Sequence, residues 1–158
     1  MINPTNVLRG VCGAAAVLAL AGCGSMSNPS ASSATAARAP TVTTLTARLA
    51  GTSEVPPVTT PGAGMLTASF ESGTRTLTWT ATYSGLSGPA TAAHFHGPAA
   101  PSANAGVVLP FPSAASPIQA TATLTEAQAI DLLAGRWYVN IHTATNPGGE
   151  IRGQLVPL

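Results

Sequence analysis

Between Thr76 and Tyr83 the chain reads Thr-Leu-Thr-Trp-Thr-Ala-Thr-Tyr. Threonine occupies every even position; Leu77, Trp79, Ala81 and Tyr83 occupy the odd ones. A period of two suits a strand with one wet face and one dry face, and excludes a helix, whose faces repeat every 3.6 residues. β-Branched threonine on the wet side reinforces the strand. Ile118, Ala120, Ala122 and Leu124 repeat the pattern against Gln119, Thr121 and Thr123. Further strands are expected near 43–50, 64–70, 90–96, 106–111, 136–143 and 150–156, punctuated by Gly, Pro, Ser and Asn. The fold class predicted is all-β: an antiparallel Greek-key sandwich or barrel. Trp79, Trp137 and Tyr83 fall on its apolar faces.

One short helix is expected near 126–134. Thr125 and Gln128 have capping-box spacing, Ile130, Leu132 and Leu133 are its apolar anchors, and Gly135 can end it left-handed.

Upstream of the domain the composition changes. Arg9 precedes a short apolar run from Val11 to Leu20, too short to span a bilayer comfortably. The run closes on Leu20-Ala21-Gly22-Cys23, which resembles the lipobox of bacterial lipoproteins. Residues 1–22 are then a signal peptide and Cys23 is the lipidation site. Cleavage after Ala19-Leu20-Ala21 without lipidation is the other possibility. Residues 23–42, rich in Ser, Ala, Thr and Pro, form a lipid-anchored tether, and 43–158 form one domain. The expected location is exported: the cell envelope, held to a bacterial membrane by the lipid. Cys12 leaves with the signal and Cys23 carries the lipid, so the domain has no thiol for a disulfide or a thiolate metal site.

Charge excludes some partners. The chain has no lysine, and after Cys23 five arginines balance five acids. No basic stripe exists to follow a phosphate backbone, which argues against nucleic acid. No Gly-x-Ser-x-Gly elbow and no glycine-rich phosphate loop is present. Catalytic residues are therefore not assigned, and the expected partner beyond the membrane is an unknown protein or small ligand. Glu54, before Pro56-Pro57, reads as a residue that fixes a turn or caps a chain end. Nothing in the spacing brings Glu54 and Glu150 together as a carboxylate pair.

The histidines are the concentrated chemistry. His94 and His96 share a strand face opposite Phe95. His142 shares a face with Tyr138 and Asn140, opposite Trp137, Val139 and Ile141. If the two strands are neighbours, His94, His96 and His142 can hold copper(II) or zinc(II), with Glu150 or water completing the shell. They can equally serve as hydrogen-bonding groups that hold turns. Asn146-Pro147-Gly148-Gly149 reads as a hairpin turn. Face parity requires a three- or five-residue loop or a bulge, and five loop residues place His142 across from Arg152 and Ala144 across from Glu150. Glu150, Arg152 and Gln154 are expected to face solvent, where Arg152 can pair.

The ordered motifs Gly51-Thr-Ser-Glu54-Val-Pro56-Pro57-Val58, His94-Phe-His96-Gly97-Pro98-Ala99, Trp137-Tyr-Val-Asn-Ile-His142-Thr143 and Asn146-Pro-Gly-Gly-Glu150-Ile-Arg152-Gly-Gln154 resemble the CHRD domain. The family is named for chordin and is also found in bacterial exported proteins. The resemblance covers about residues 44 to 156. It implies an extracytoplasmic, non-enzymatic β-module that binds a partner, and no reaction. A narrower resemblance, of a His-x-His strand and a later strand histidine, is to the copper half of the copper-zinc superoxide dismutase site. It implies a copper-binding or copper-redox role for His94, His96 and His142. The bridging histidine, the zinc ligands and the disulfide of that family have no counterpart here.

Overall fold

The computed structural model describes residues 39–158. The signal, the lipobox with Cys23 and nearly all of the tether lie outside the described residues. Strands β1 (Val42–Ala50), β2 (Ala63–Glu71), β3 (Thr76–Ser84), β4 (Ala90–His96), β5 (Val107–Pro110), β6 (Ile118–Thr123), β7 (Tyr138–Thr143), β8 (Ile151–Gln154) and β9 (Val156–Pro157) follow in chain order. Helix α1 (Glu126–Leu133) stands between β6 and β7. The strands form one antiparallel sheet in the order β5-β4-β7-β8-β1-β2-β3-β6, with β9 paired to β1. The sheet curls into a half-barrel. The all-β expectation holds, in a form closer to the barrel than to two separate sheets.

The alternation in β3 acts as expected. Leu77, Trp79 and Ala81 are buried and Thr78 and Thr82 are exposed. Across the sheet Thr80 pairs with Thr67 of β2 and Gln119 of β6, so polar side chains continue from strand to strand on the outer face. Leu45, Leu66, Phe70, Phe95, Ile118, Trp137, Val139, Ile141, Ile151 and Leu155 fill the inner side. Trp79 meets Phe95 edge-on with ring centroids 5.2 Å apart, an arrangement that adds attraction beyond the area buried.

α1 has its predicted start. Thr125 accepts from the Gln128 backbone N–H, and the Gln128 side chain accepts from the Thr125 N–H. Gly135 is left-handed at φ 68°. Two expected anchors are wrong: Ile130 and Leu133 are exposed, and Ala129 and Leu132 are buried instead. One turn of apolar residues permits several faces, and packing selects the narrower pair.

The β7–β8 hairpin also differs from expectation. Parity is as predicted, but the register is two residues away. Asn140, not His142, lies across from Arg152, and Val139 lies across from Gly153. The Glu150 N–H donates to the Ile141 carbonyl at 2.7 Å, so pairing stops early and the connection is longer than five residues. Gly149 explains the long turn: its φ is 129°, and a Cβ there would overlap the Glu54 carboxyl.

Candidate metal centre

β4, β7 and β8 are adjacent, and their shared face carries a polar grid. His96, Tyr138 and Gln154 form one row and His94, Asn140 and Arg152 the next; His142 lies across from Ala92. This grid is not a wet face. Every residue of β7 is buried, and Arg152 is 1% exposed. The solvent-facing expectation for Glu150 and Arg152 is therefore overturned. Alternation identifies a face but not the loops that cover it.

The three histidines converge. One ring nitrogen from each of His94, His96 and His142 lies within 4.8 Å of the others. Hydrogen bonds fix which nitrogens face inward. His96 Nδ1 lies 3.0 Å from the Ala105 carbonyl, and His142 Nδ1 lies 3.0 Å from the Pro147 carbonyl. A carbonyl only accepts, so both Nδ1 atoms carry hydrogen, and in the neutral rings both Nε2 atoms keep a lone pair. His96 Nε2 is buried with no hydrogen-bond partner among the described residues. His142 Nε2 is 3.0 Å from His94 Nδ1 and 2.9 Å from Asn140 Oδ1. Without metal, His94 Nδ1 can donate to His142 Nε2, but the Asn140 oxygen still faces a lone pair. Turning that amide over would instead set its oxygen toward the Gly148 carbonyl, 3.4 Å from the present nitrogen position.

A Lewis acid removes this conflict. It would accept the lone pairs of His96 and His142 and replace the proton on His94 Nδ1. The Ala105 and Pro147 carbonyls would then orient two ligand rings from behind, the usual arrangement for metal-bound imidazole. Two metal–nitrogen bonds of about 2.0–2.1 Å reach at most about 4.1 Å end to end, so rings up to 4.8 Å apart would have to close by about 0.7 Å or more to share an ion.

Burial disfavours the charged form of His94 and His96. Burial pushes His94 below the ordinary histidine value, and His142 and His96 add to the shift. Burial also lowers His96, against the opposing hydrogen bond to Ala105. Tyr138 stacks on His96 with an interplanar angle of 4°, and the Arg152 guanidinium covers the Tyr138 ring at 3.4 Å. The same positive charge that discourages an imidazolium also opposes a metal cation. Binding must come from the nitrogen bonds.

Two carboxylates sit apart from the histidines. Glu150 Oε1 accepts from Thr60 Oγ1 and the Ser87 N–H, and Oε2 accepts from Ser87 Oγ and Thr143 Oγ1, all within 2.7 Å. It holds loops together rather than completing the histidine shell. Burial works to raise its pKa, but these hydrogen bonds outweigh it and bring the value down to about 2. Glu54 is buried without a side-chain hydrogen bond among the described residues, so it is not the cap expected of it. Arg152 uses Nη1 on Asn104 Oδ1 and Nη2 on the Ala103 carbonyl, not on an exposed acid.

Burial raises Glu54 to about 7, with Arg152 pulling the other way. The folded protein therefore keeps a proton that the unfolded chain releases, and stability falls as pH rises from about 4.5 to about 7. Glu54→Gln removes that loss. Urea unfolding at pH 4.5 and pH 8 should show the variant gaining on the wild type by roughly 1–3 kcal/mol at the higher pH. A difference that is constant with pH would contradict the burial argument.

The histidine grid, its covering loops and the curled antiparallel sheet define an all-β module. The chain belongs to the CHRD-domain family: the family model matches residues 45–155. Membership supports a non-enzymatic binding module at the level of the family. Neither a curated protein nor a solved structure matches the chain.

Proposed function

We propose that this chain is an envelope-displayed CHRD module that binds a transition-metal ion, copper(II) foremost, through His94 Nδ1, His96 Nε2 and His142 Nε2. The observation that carries the reading is the convergence of three imidazoles, two of them held by backbone carbonyls with their lone pairs inward. Imidazole is a good ligand for copper, zinc and nickel, and copper(II) binds such nitrogen sites most tightly of the three. The role is capture or presentation of the ion, rather than turnover. Calorimetric titration of the untagged full-length chain with copper(II) should give one equivalent bound at micromolar affinity or tighter. Absence of stoichiometric binding of both copper and zinc would end this reading.

The lipobox supports display from a bacterial membrane through a diacylated Cys23, with residues 24–42 as spacer. Mass spectrometry of the chain expressed in its native type of host should show an acylated Cys23, and Cys23→Ala should lose the lipid mass. An unacylated wild-type N-terminus would leave the module exported but unanchored.

A further inference from the structure

The sheet ends in β5 on one side and β6 on the other, and the two edges are built differently. β5 is short, its pairing with β4 is irregular beside His96, and it closes on Pro110. The Phe111 N–H donates to the Ala93 carbonyl, so by alternation Pro110 turns its backbone outward, where it has no N–H to offer. That edge is guarded against a further strand.

β6 carries no such guard. It reads Ile-Gln-Ala-Thr-Ala-Thr, pairs regularly with β3, and holds neither proline nor charge nor bulge. The Leu124 N–H donates to the Arg75 carbonyl at 2.9 Å, which fixes the alternation of the ladder. Ala122, Ala120 and Ile118 then bond to Leu77, Trp79 and Ala81 of β3. Gln119, Thr121 and Thr123 turn their N–H and C=O groups the other way, and these groups have no protein partner among the described residues. All three residues are exposed.

The ends of β6 set the register that an added strand must take. Pro117 before it lacks an N–H, and the Thr125 N–H after it is taken by the Gln128 side chain. A second copy of β6, antiparallel about a two-fold axis through Thr121, uses every free group: Thr121 meets Thr121, and each Gln119 meets the other copy's Thr123. Sliding the pair by two residues either way brings in Pro117 or Thr125 and loses bonds. The side chains agree. Thr–Thr and Gln–Thr pairs meet on the outer face with no like charges opposed. On the inner face the half-buried Ala120 lies across from Ala122, and both are too small to collide. β6 is thus its own complement. Because β5 is guarded, the pairing closes at two copies instead of growing into a filament.

We propose that β6 is a dimerisation edge, at which two copies of this chain join their sheets antiparallel about Thr121. The edge is independent of the metal reading, because the histidines lie on β4 and β7, toward the other end of the strand order.

Sedimentation velocity tests it on the full-length chain carrying Cys12→Ala and Cys23→Ala, which removes the lipid and the native thiols. At about 100 μM the chain should be largely dimeric, and it should dissociate on dilution. Thr121→Lys sets two like charges across the axis and should weaken the dimer by about tenfold or more. Thr67→Lys puts the same charge at an exposed position of β2 and should leave the dimer unchanged. In the same background Thr121→Cys should cross-link under mild oxidation, since facing Cα atoms of such a pair lie about 5.5 Å apart, within disulfide reach. Thr67→Cys should not. A chain that stays monomeric at that concentration, a dimer weakened equally by the two lysine variants or by neither, or equal cross-linking of the two cysteine variants would overturn the proposal.

Discussion

Glu150→Ala should cost about 2–4 kcal/mol, a large fraction of the stability of a module of ordinary size. The carboxylate is fully buried and accepts four hydrogen bonds from Thr60, Ser87 and Thr143. Residue 60 precedes β2, residue 87 follows β3 and residue 143 ends β7, so one side chain fastens three separate parts of the sheet. Removing it leaves the buried Thr143 hydroxyl without its acceptor and unfastens Thr60 and Ser87, so the loss combines one stranded donor with three further broken bonds. The pH dependence has a definite sign. Glu150 titrates near 2 when folded and near 4.5 when unfolded. Its stabilisation is present above about 4.5 and disappears as pH falls toward about 2. Chemical denaturation of Glu150→Ala and wild type at pH 7 and pH 3 should show a large gap that narrows in acid. A loss under 1 kcal/mol at pH 7 would mean that the hydroxyl cage contributes little.

The second large effect concerns the metal. His96→Ala and His142→Ala should each weaken copper(II) binding by about 100-fold, since a lost ligand removes a third of the nitrogen set and leaves its carbonyl support without purpose. His94→Ala should weaken it too, but by less, because His94 is the more exposed of the three and has no backbone carbonyl holding its second nitrogen. Copper binding must displace the proton between His94 and His142, so affinity should rise with pH. Equal copper binding by wild type and His96→Ala would place the ion elsewhere.

The sheet was legible because alternation survives without tertiary information. Thr76 to Tyr83 announces both faces of β3, and the motif order around His94 and Trp137 announces the family. That His94, His96 and His142 all avoid the core faces was also legible, since parity sets them opposite Phe95, Trp137 and Ile141. What parity cannot supply is strand order, and only the pairing of β4 with β7 turns a shared face into a convergent site. The covered condition of that face was hidden for another reason. Arg152 and Glu150 look like surface charges in a short strand, and only the loop around Asn104 for the first, and those around Thr60 and Ser87 for the second, make them buried. A Glu-x-Arg-x-Gln strand after a Gly-Gly turn in a chain with so few charges was the available signal. The two-residue register error came from the same source, because Gly149 sits against Glu54, a contact 95 residues away in sequence that no turn rule contains.

The central claim is that three imidazoles hold one ion. Electron paramagnetic resonance of the copper(II)-loaded full-length chain tests it most directly. A tetragonal spectrum with superhyperfine splitting from three nitrogens, reduced to two in His96→Ala, is the predicted result. A spectrum that is the same in wild type and in the His94→Ala, His96→Ala, His142→Ala triple variant would contradict it.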